Sequence, residues 1–69
     1  MKKVFCKIIT ENTFKEGVMF NVDNNYSFED LIKWVYRNCG GCNKIEVDND
    51  SKEVTAIYDN ERYEIYSIK

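Results

Sequence analysis

Cys39-Gly40-Gly41-Cys42 is the one short motif in this 69-residue chain whose residue types and spacing could do chemistry. Two thiols two residues apart can form a redox dithiol or offer two ligands to zinc, and Cys6 supplies a third sulfur. The surroundings serve neither use well. A redox thiolate gains from the positive end of a helix dipole, whereas this pair follows the segment read below as a helix and meets its negative end. A tetrahedral zinc site needs four ligands, and the chain has no second CxxC and no histidine. Two chains giving two thiolates each would complete one, which leaves Cys6, Cys39 and Cys42 as the metal alternative and the CGGC pair as the redox alternative. Cys6 and Cys39 fall on apolar faces and read as small core residues, with Cys42 a loop thiol. No cofactor is expected.

The missing histidine also removes the commonest general base and every Ser/His or Cys/His nucleophile pair. Asp48 to Glu53 has the spacing of acids found in calcium loops, but Lys52 stands fifth and Glu53 sixth, where a ligand and a glycine belong. The remaining carboxylates cluster in turns, where solvation keeps them ordinary acids. A non-enzymatic protein is therefore expected.

The elements that must position these residues follow from periodicity. Lys3 to Thr10 alternates, as does Glu16 to Val22, and a turn at Asn12-Thr13-Phe14 would pair Ile8 with Val18, Cys6 with Phe20 and Val4 with Val22. Ser27-Phe28-Glu29-Asp30 reads as a capping box with Asp at its fourth position, with Tyr26 and Leu31 placed as a hydrophobic staple. Phe28, Leu31, Ile32, Val35 and Cys39 then form one apolar stripe, Glu29, Lys33 and Arg37 a charge ladder outside it, and Gly40-Gly41 a left-handed stop. Three short strands follow at 44–48, 53–58 and 62–68, separated by turns at Asn49-Asp50-Ser51 and Asp59-Asn60. Val47 opposite Val54 and Val54 opposite Ile65 would keep the inward residues in phase. The prediction is a single domain over residues 1–69. It is an α+β, two-layer ββαβββ fold with one helix on a five-stranded, mostly antiparallel sheet, and a β-grasp-like arrangement is the alternative.

One helix covers one face of such a sheet. The same alternation assigns Phe5, Ile9, Met19, Ile57, Tyr66 and Ile68 to the other face, interleaved with Lys3, Lys7, Thr55, Arg62 and Glu64. A fully solvated face would be more polar, so this one is read as a contact surface for another protein or for a second copy in a homodimer. Trp34 lies off the buried helix stripe. With the acidic turns Asp48, Asp50, Asp59 and Glu61 it would form a partner-facing rim.

Composition narrows the partner. Hydrophobic residues are 43% and charged residues 32%, a globular balance. Formal charge is −2, and residues 46–64 hold seven acids against Lys52 and Arg62, so nucleic acid is not favoured. Single-stranded nucleic acid stacking on the open sheet remains an alternative. No apolar run reaches the ~18 residues of a membrane helix, and no secretory leader opens the chain. Lys, Asn, Ile and Tyr abound beside one Ala and no Pro, Gln or His, the bias of an AT-rich coding sequence. The expected setting is bacterial cytoplasm with reduced thiols. The expected function is protein binding, in its concrete form a small phage- or plasmid-encoded inhibitor that blocks a host defence protein.

Overall fold

These periodicities become five strands and one helix in the computed structural model, which describes residues 1–59 and 61–69. The order is β1 (Lys2–Ile9), β2 (Phe14–Val22), α1 (Phe28–Asn38), β3 (Lys44–Asp48), β4 (Glu53–Ile57) and β5 (Tyr63–Ile68). The strands form one sheet in the order β2-β1-β5-β4-β3, and every neighbouring pair is antiparallel. The first and last strands therefore lie side by side at the centre. Their ladder extends past β5 through reciprocal hydrogen bonds between Lys3 and Lys69 at 2.9 and 2.8 Å. Together these elements form an α+β fold. Asn60, half of the anticipated Asp59-Asn60 turn, lies outside the described residues.

The helix starts where its sequence says it should. Ser27 Oγ accepts from the Asp30 amide at 3.1 Å, and Asp30 Oδ2 accepts from the Ser27 amide at 2.9 Å, so the box satisfies two amides reciprocally. Leu31 and Val35 are fully buried and Cys39 nearly so, against Val4, Cys6, Val54, Ala56 and Tyr66 of the sheet. Burying each of the two aliphatic side chains contributes about 1.5–3 kcal/mol. The helix ends differently from expectation. No glycine has positive φ; Cys39 is the C-cap, and the turn closes when the Cys42 amide donates to the Cys39 carbonyl at 3.2 Å.

Two registers also differ. The first hairpin closes on Thr10 and Thr13, whose amides donate to the Thr13 carbonyl at 2.9 Å and to Thr10 Oγ1 at 3.0 Å. That tighter turn pairs Ile8 with Lys15, Cys6 with Gly17 and Phe5 with Val18. A bulge at Met19, opposite the Val4–Phe5 step, then restores phase so that Phe20 pairs with Val4 and Val22 with Lys2. Val18 is thus turned to the helix-free face, and Met19 lines a hollow with residues of both faces, Cys6 and Ile8 on one and Glu16 and Val18 on the other.

In β5 the phase is inverted from the expected one. Val54 and Cys6 pair with Tyr66, Val4 pairs with Ile68, and Ala56 pairs with Glu64. Tyr66 and Ile68 therefore face the helix layer, while Tyr63 and Ile65 face away. Val47 does oppose Val54. Because Ile65 and Tyr66 are adjacent and both apolar, alternation fits either phase. The aromatic volume decides: Tyr66 fills the layer under Trp34, whose ring centroid lies 5.5 Å from that of Tyr66 and 5.0 Å from that of Phe20.

Candidate functional site

With α1 on one side, the opposite side of the sheet has no covering element among the described residues. The strand registers resolve that face into three rows running from β2 to β3. The first is Phe14, Ile9, Tyr63, Ile57 and Lys44; the second is Glu16, Lys7, Ile65, Thr55 and Glu46; the third is Val18, Phe5, Ser67, Glu53 and Asp48. Seven of these fifteen positions are apolar. Phe14 is 61% exposed, Val18 51% and Tyr63 39%, while Phe5, Ile9, Ile57 and Ile65 are half-buried by their strand neighbours alone. A face of this kind loses about 25 cal/mol of unfavourable hydration for each Å² of apolar surface that a partner covers.

Of the residues anticipated here, Phe5, Ile9 and Ile57 are on the face. Tyr66 and Ile68 are not, because the β5 phase puts them under the helix layer; Met19, unpaired at the bulge, belongs to none of the three rows. Phe14, Val18, Tyr63 and Ile65 take their places. Phe14 could have been found from its position just past the turn, where a strand begins. Val18, Tyr63 and Ile65 could not, because the first depends on the tighter turn at Thr10–Thr13 and the other two on the choice between adjacent apolar residues.

Charge is mixed on both flanks of this face: Glu16 on β2 lies opposite Lys7, and Lys44 on β3 holds its Nζ 3.6 Å from Glu46 Oε2. Lys3 and Lys7 lie on β1, and Lys69, just beyond β5, holds its Nζ 5.6 Å from the centroid of the Phe5 ring. On the other flank Glu53 lies on β4, with Glu46 and Asp48 on β3. The β1–β2 flank thus sets Lys3 and Lys7 against Glu16, and the β3–β4 flank sets Glu46, Asp48 and Glu53 against Lys44.

The acidic turns do not form one rim. Asp48 and Asp50 stand at the β3–β4 turn, Asp59 and Glu61 at the opposite end of β4, about 17 Å away for a five-residue strand. Antiparallel order imposes this, since successive turns alternate ends. Asp48 instead braces its own turn, accepting the Asp50 and Ser51 amides at 2.9 and 3.2 Å, and those bonds hold its carboxyl below the ordinary range. Asp59 accepts from the side chain of Asn43. Trp34 is engaged inside, between Phe20 and Tyr66, and joins neither turn.

The helix side holds a polar network that the alternation did not foresee. Glu64 takes an inward position beside Ala56 and Ile8. Its Oε1 accepts from the hydroxyls of Tyr66 at 2.9 Å and Tyr58 at 3.2 Å, and its Oε2 lies 2.8 Å from Arg62 Nη2. Cys39 Sγ donates to the Tyr66 hydroxyl at 3.5 Å, and Arg62 lies over the Tyr58 ring. Burial, followed by hydrogen bonds with Cys39 and Glu64, pushes the Tyr66 phenol far above its ordinary range; burial also raises Tyr58. Burial raises the Cys6 thiol as well, against a hydrogen bond to Tyr66 that lowers it. Glu64 has its acceptors occupied by two phenols and a guanidinium, and Cys6 is held as a thiol. Such a network orients its members, and Arg62 Nε is buried in it without a partner.

All three cysteines are free, and among the described residues no three Cys, Asp or Glu side chains are grouped as a metal site would need. Among the same residues no helix is long and apolar enough to cross a membrane. Comparison with known protein families, with curated proteins and with solved structures finds no match.

Proposed function

We propose that the protein is a non-enzymatic interaction module whose contact surface is the helix-free face of its sheet. The observation that carries this reading is the Phe14–Ile9–Tyr63–Ile57 row, four apolar side chains aligned across four strands with no covering element among the described residues. Scattered apolar residues on a surface are ordinary; an aligned row continued by Ile65, Phe5 and Val18 is a patch. The sulfurs and carboxylates favour the same reading, since the best-placed of them are committed to internal bonds. Occlusion of a protein surface, the action of an inhibitor, needs nothing more than such a patch.

The test is a photo-reactive amino acid placed at Tyr63, on the open face, or at Tyr36, exposed on the helix. Protein adducts are expected from position 63 and not from 36. Absence of any adduct from 63, or turnover of a substrate by the purified chain, would overturn the proposal.

A further inference from the structure

We infer that Cys39 and Cys42 close a reversible disulfide across the turn that ends α1, formed by exchange with a small-molecule disulfide of the glutathione class. The backbone already brings the two residues together. The Cys42 amide donates to the Cys39 carbonyl at 3.2 Å, and the ends of such a turn have Cα atoms less than about 7 Å apart. A disulfide needs a Cα separation of roughly 4.4–6.8 Å. The side chains share an environment as well: Cys39 belongs to the buried core, and Cys42 packs half-buried against that same cluster.

The residues between them put nothing in the way. A Cβ on Gly40 or Gly41 would meet nothing within 4 Å, and neither φ is positive. The thiol form of the turn therefore requires glycine at neither position, whereas closing so small a ring calls for backbone torsions that can adjust. Leaving the thiol state costs Cys39 its 3.5 Å donation to the Tyr66 hydroxyl. That hydroxyl keeps its own bond to Glu64 at 2.9 Å. Cys6 is a poorer partner for Cys39, because β1 is held in place by ladders to β2 on one side and β5 on the other.

The exchange balances. Cys42, the more exposed of the pair, gives its thiol proton to solvent and attacks one sulfur of oxidised glutathione. The S–S bond of that reagent breaks, and one glutathione leaves as a thiolate that takes up a proton. Cys39 then loses its proton and attacks Cys42 Sγ in the mixed disulfide, expelling the second glutathione. Two protein thiols are oxidised, and one glutathione disulfide is reduced to two thiols. The C-terminal end of a helix gives a thiolate no help, which handicaps a catalytic dithiol; a disulfide that persists makes no such demand.

The test equilibrates the reduced chain with a mixture of reduced and oxidised glutathione, quenches in acid, alkylates in denaturant and digests with trypsin. Cleavage after Arg37 and Lys44 leaves both cysteines in one peptide, residues 38–44. Mass spectrometry is expected to find that peptide unalkylated and lighter by two hydrogens, with Cys6 outside the bond. Cys39→Ser lacks the second step, and its Cys42 is expected to hold glutathione about tenfold more than in the wild-type chain. If that variant does not fold, the wild-type peptide decides alone. The oxidised chain is expected to melt about 5 °C above the reduced one. Three alkylatable thiols, a lasting glutathione adduct on wild-type Cys42, a bond between Cys6 and Cys39, or an oxidised chain less stable than the reduced one each overturns the inference.

Discussion

Tyr66 donates its hydroxyl to Glu64 at 2.9 Å from a position two residues along the same strand and on the same face. The pair explains how a carboxylate sits in the helix layer of so small a protein. Glu64 is compensated by Tyr66, Tyr58 and Arg62, and Tyr66 in turn supplies the acceptor for the Cys39 thiol. Apart from Arg62 Nε, which is buried without a partner, the network's polar groups are paired, and any shift of β5 leaves several of those partners unmet.

The first prediction concerns that network. Tyr66→Phe keeps the ring under Trp34 but removes the hydroxyl, and is expected to cost about 1–2 kcal/mol. Glu64→Ala leaves both phenols and Arg62 without their acceptor and is expected to cost about 1–3 kcal/mol. Urea denaturation followed by the fluorescence of Trp34 measures both. The lone tryptophan packs on Tyr66, so it reports the relevant layer directly. A Tyr66→Phe variant as stable as the parent would show that the hydroxyl contributes nothing.

The pH dependence of stability has two limbs with opposite causes. Cys6, Tyr58 and Tyr66 hold their protons more tightly when folded than their ordinary values of 9.0, 10.0 and 10.0, chiefly through burial. The unfolded chain ionises first, so stability is expected to be level up to about pH 9 and to fall as pH rises further. Tyr66→Phe should make that fall shallower. Asp30 and Asp48 behave in the opposite sense, because hydrogen bonds at the helix cap and the β3–β4 turn lower them from 3.8. Their contribution is present above that value and lost as pH drops below it, so Asp30→Asn and Asp48→Asn should each flatten the acid limb. Urea midpoints measured across pH 3–11 show both.

A third prediction separates two uses of glycine. A left-handed stop would make any substitution at Gly40 or Gly41 costly. Neither has positive φ, however, and a Cβ at either meets nothing within 4 Å. Gly40→Ala and Gly41→Ala are therefore expected to stabilise by about 0.4–1 kcal/mol each through the unfolded chain. Thermal melts decide. A loss of stability in either would restore the left-handed cap.

What could be read from the residues divides along physical lines. The helix was legible because its signals are local: Ser27 and Asp30 fix its start, and Leu31, Val35 and Cys39 repeat at helical spacing. Val47 opposite Val54 was legible because a short turn leaves one register that keeps both inside. Ile65 and Tyr66 defeated alternation because both are apolar, and the choice depends on the volume beneath Trp34, which lies thirty-two residues earlier. The acidic turns were misjoined because closeness in sequence says nothing about which end of a sheet a turn occupies. The open face itself was foreseen, since one helix cannot cover two faces, but Val18, Tyr63 and Ile65 waited on the register of the first turn and on the β5 phase.

The bulge gives the last prediction. Below Met19 the β1–β2 ladder pairs Phe5 with Val18, and above it Val4 pairs with Phe20, so Met19 is the single residue of β2 without an opposite number. Removing it would bring Val18 and Phe20 into direct succession, still opposite Phe5 and Val4 and still on opposite faces. The Met19 deletion is therefore expected to fold with a regular ladder and to lose about 1 kcal/mol, the ordinary cost of a single change. Deleting Lys7 is different in kind. It displaces Ile8 and Ile9 against both β2 and β5, turning Ile8 out and Ile9 in, and is expected to prevent folding. Circular dichroism and melting of the two deletions make the comparison. If the Met19 deletion unfolds as completely as the Lys7 deletion, the bulge is required by the fold and is more than a correction of phase.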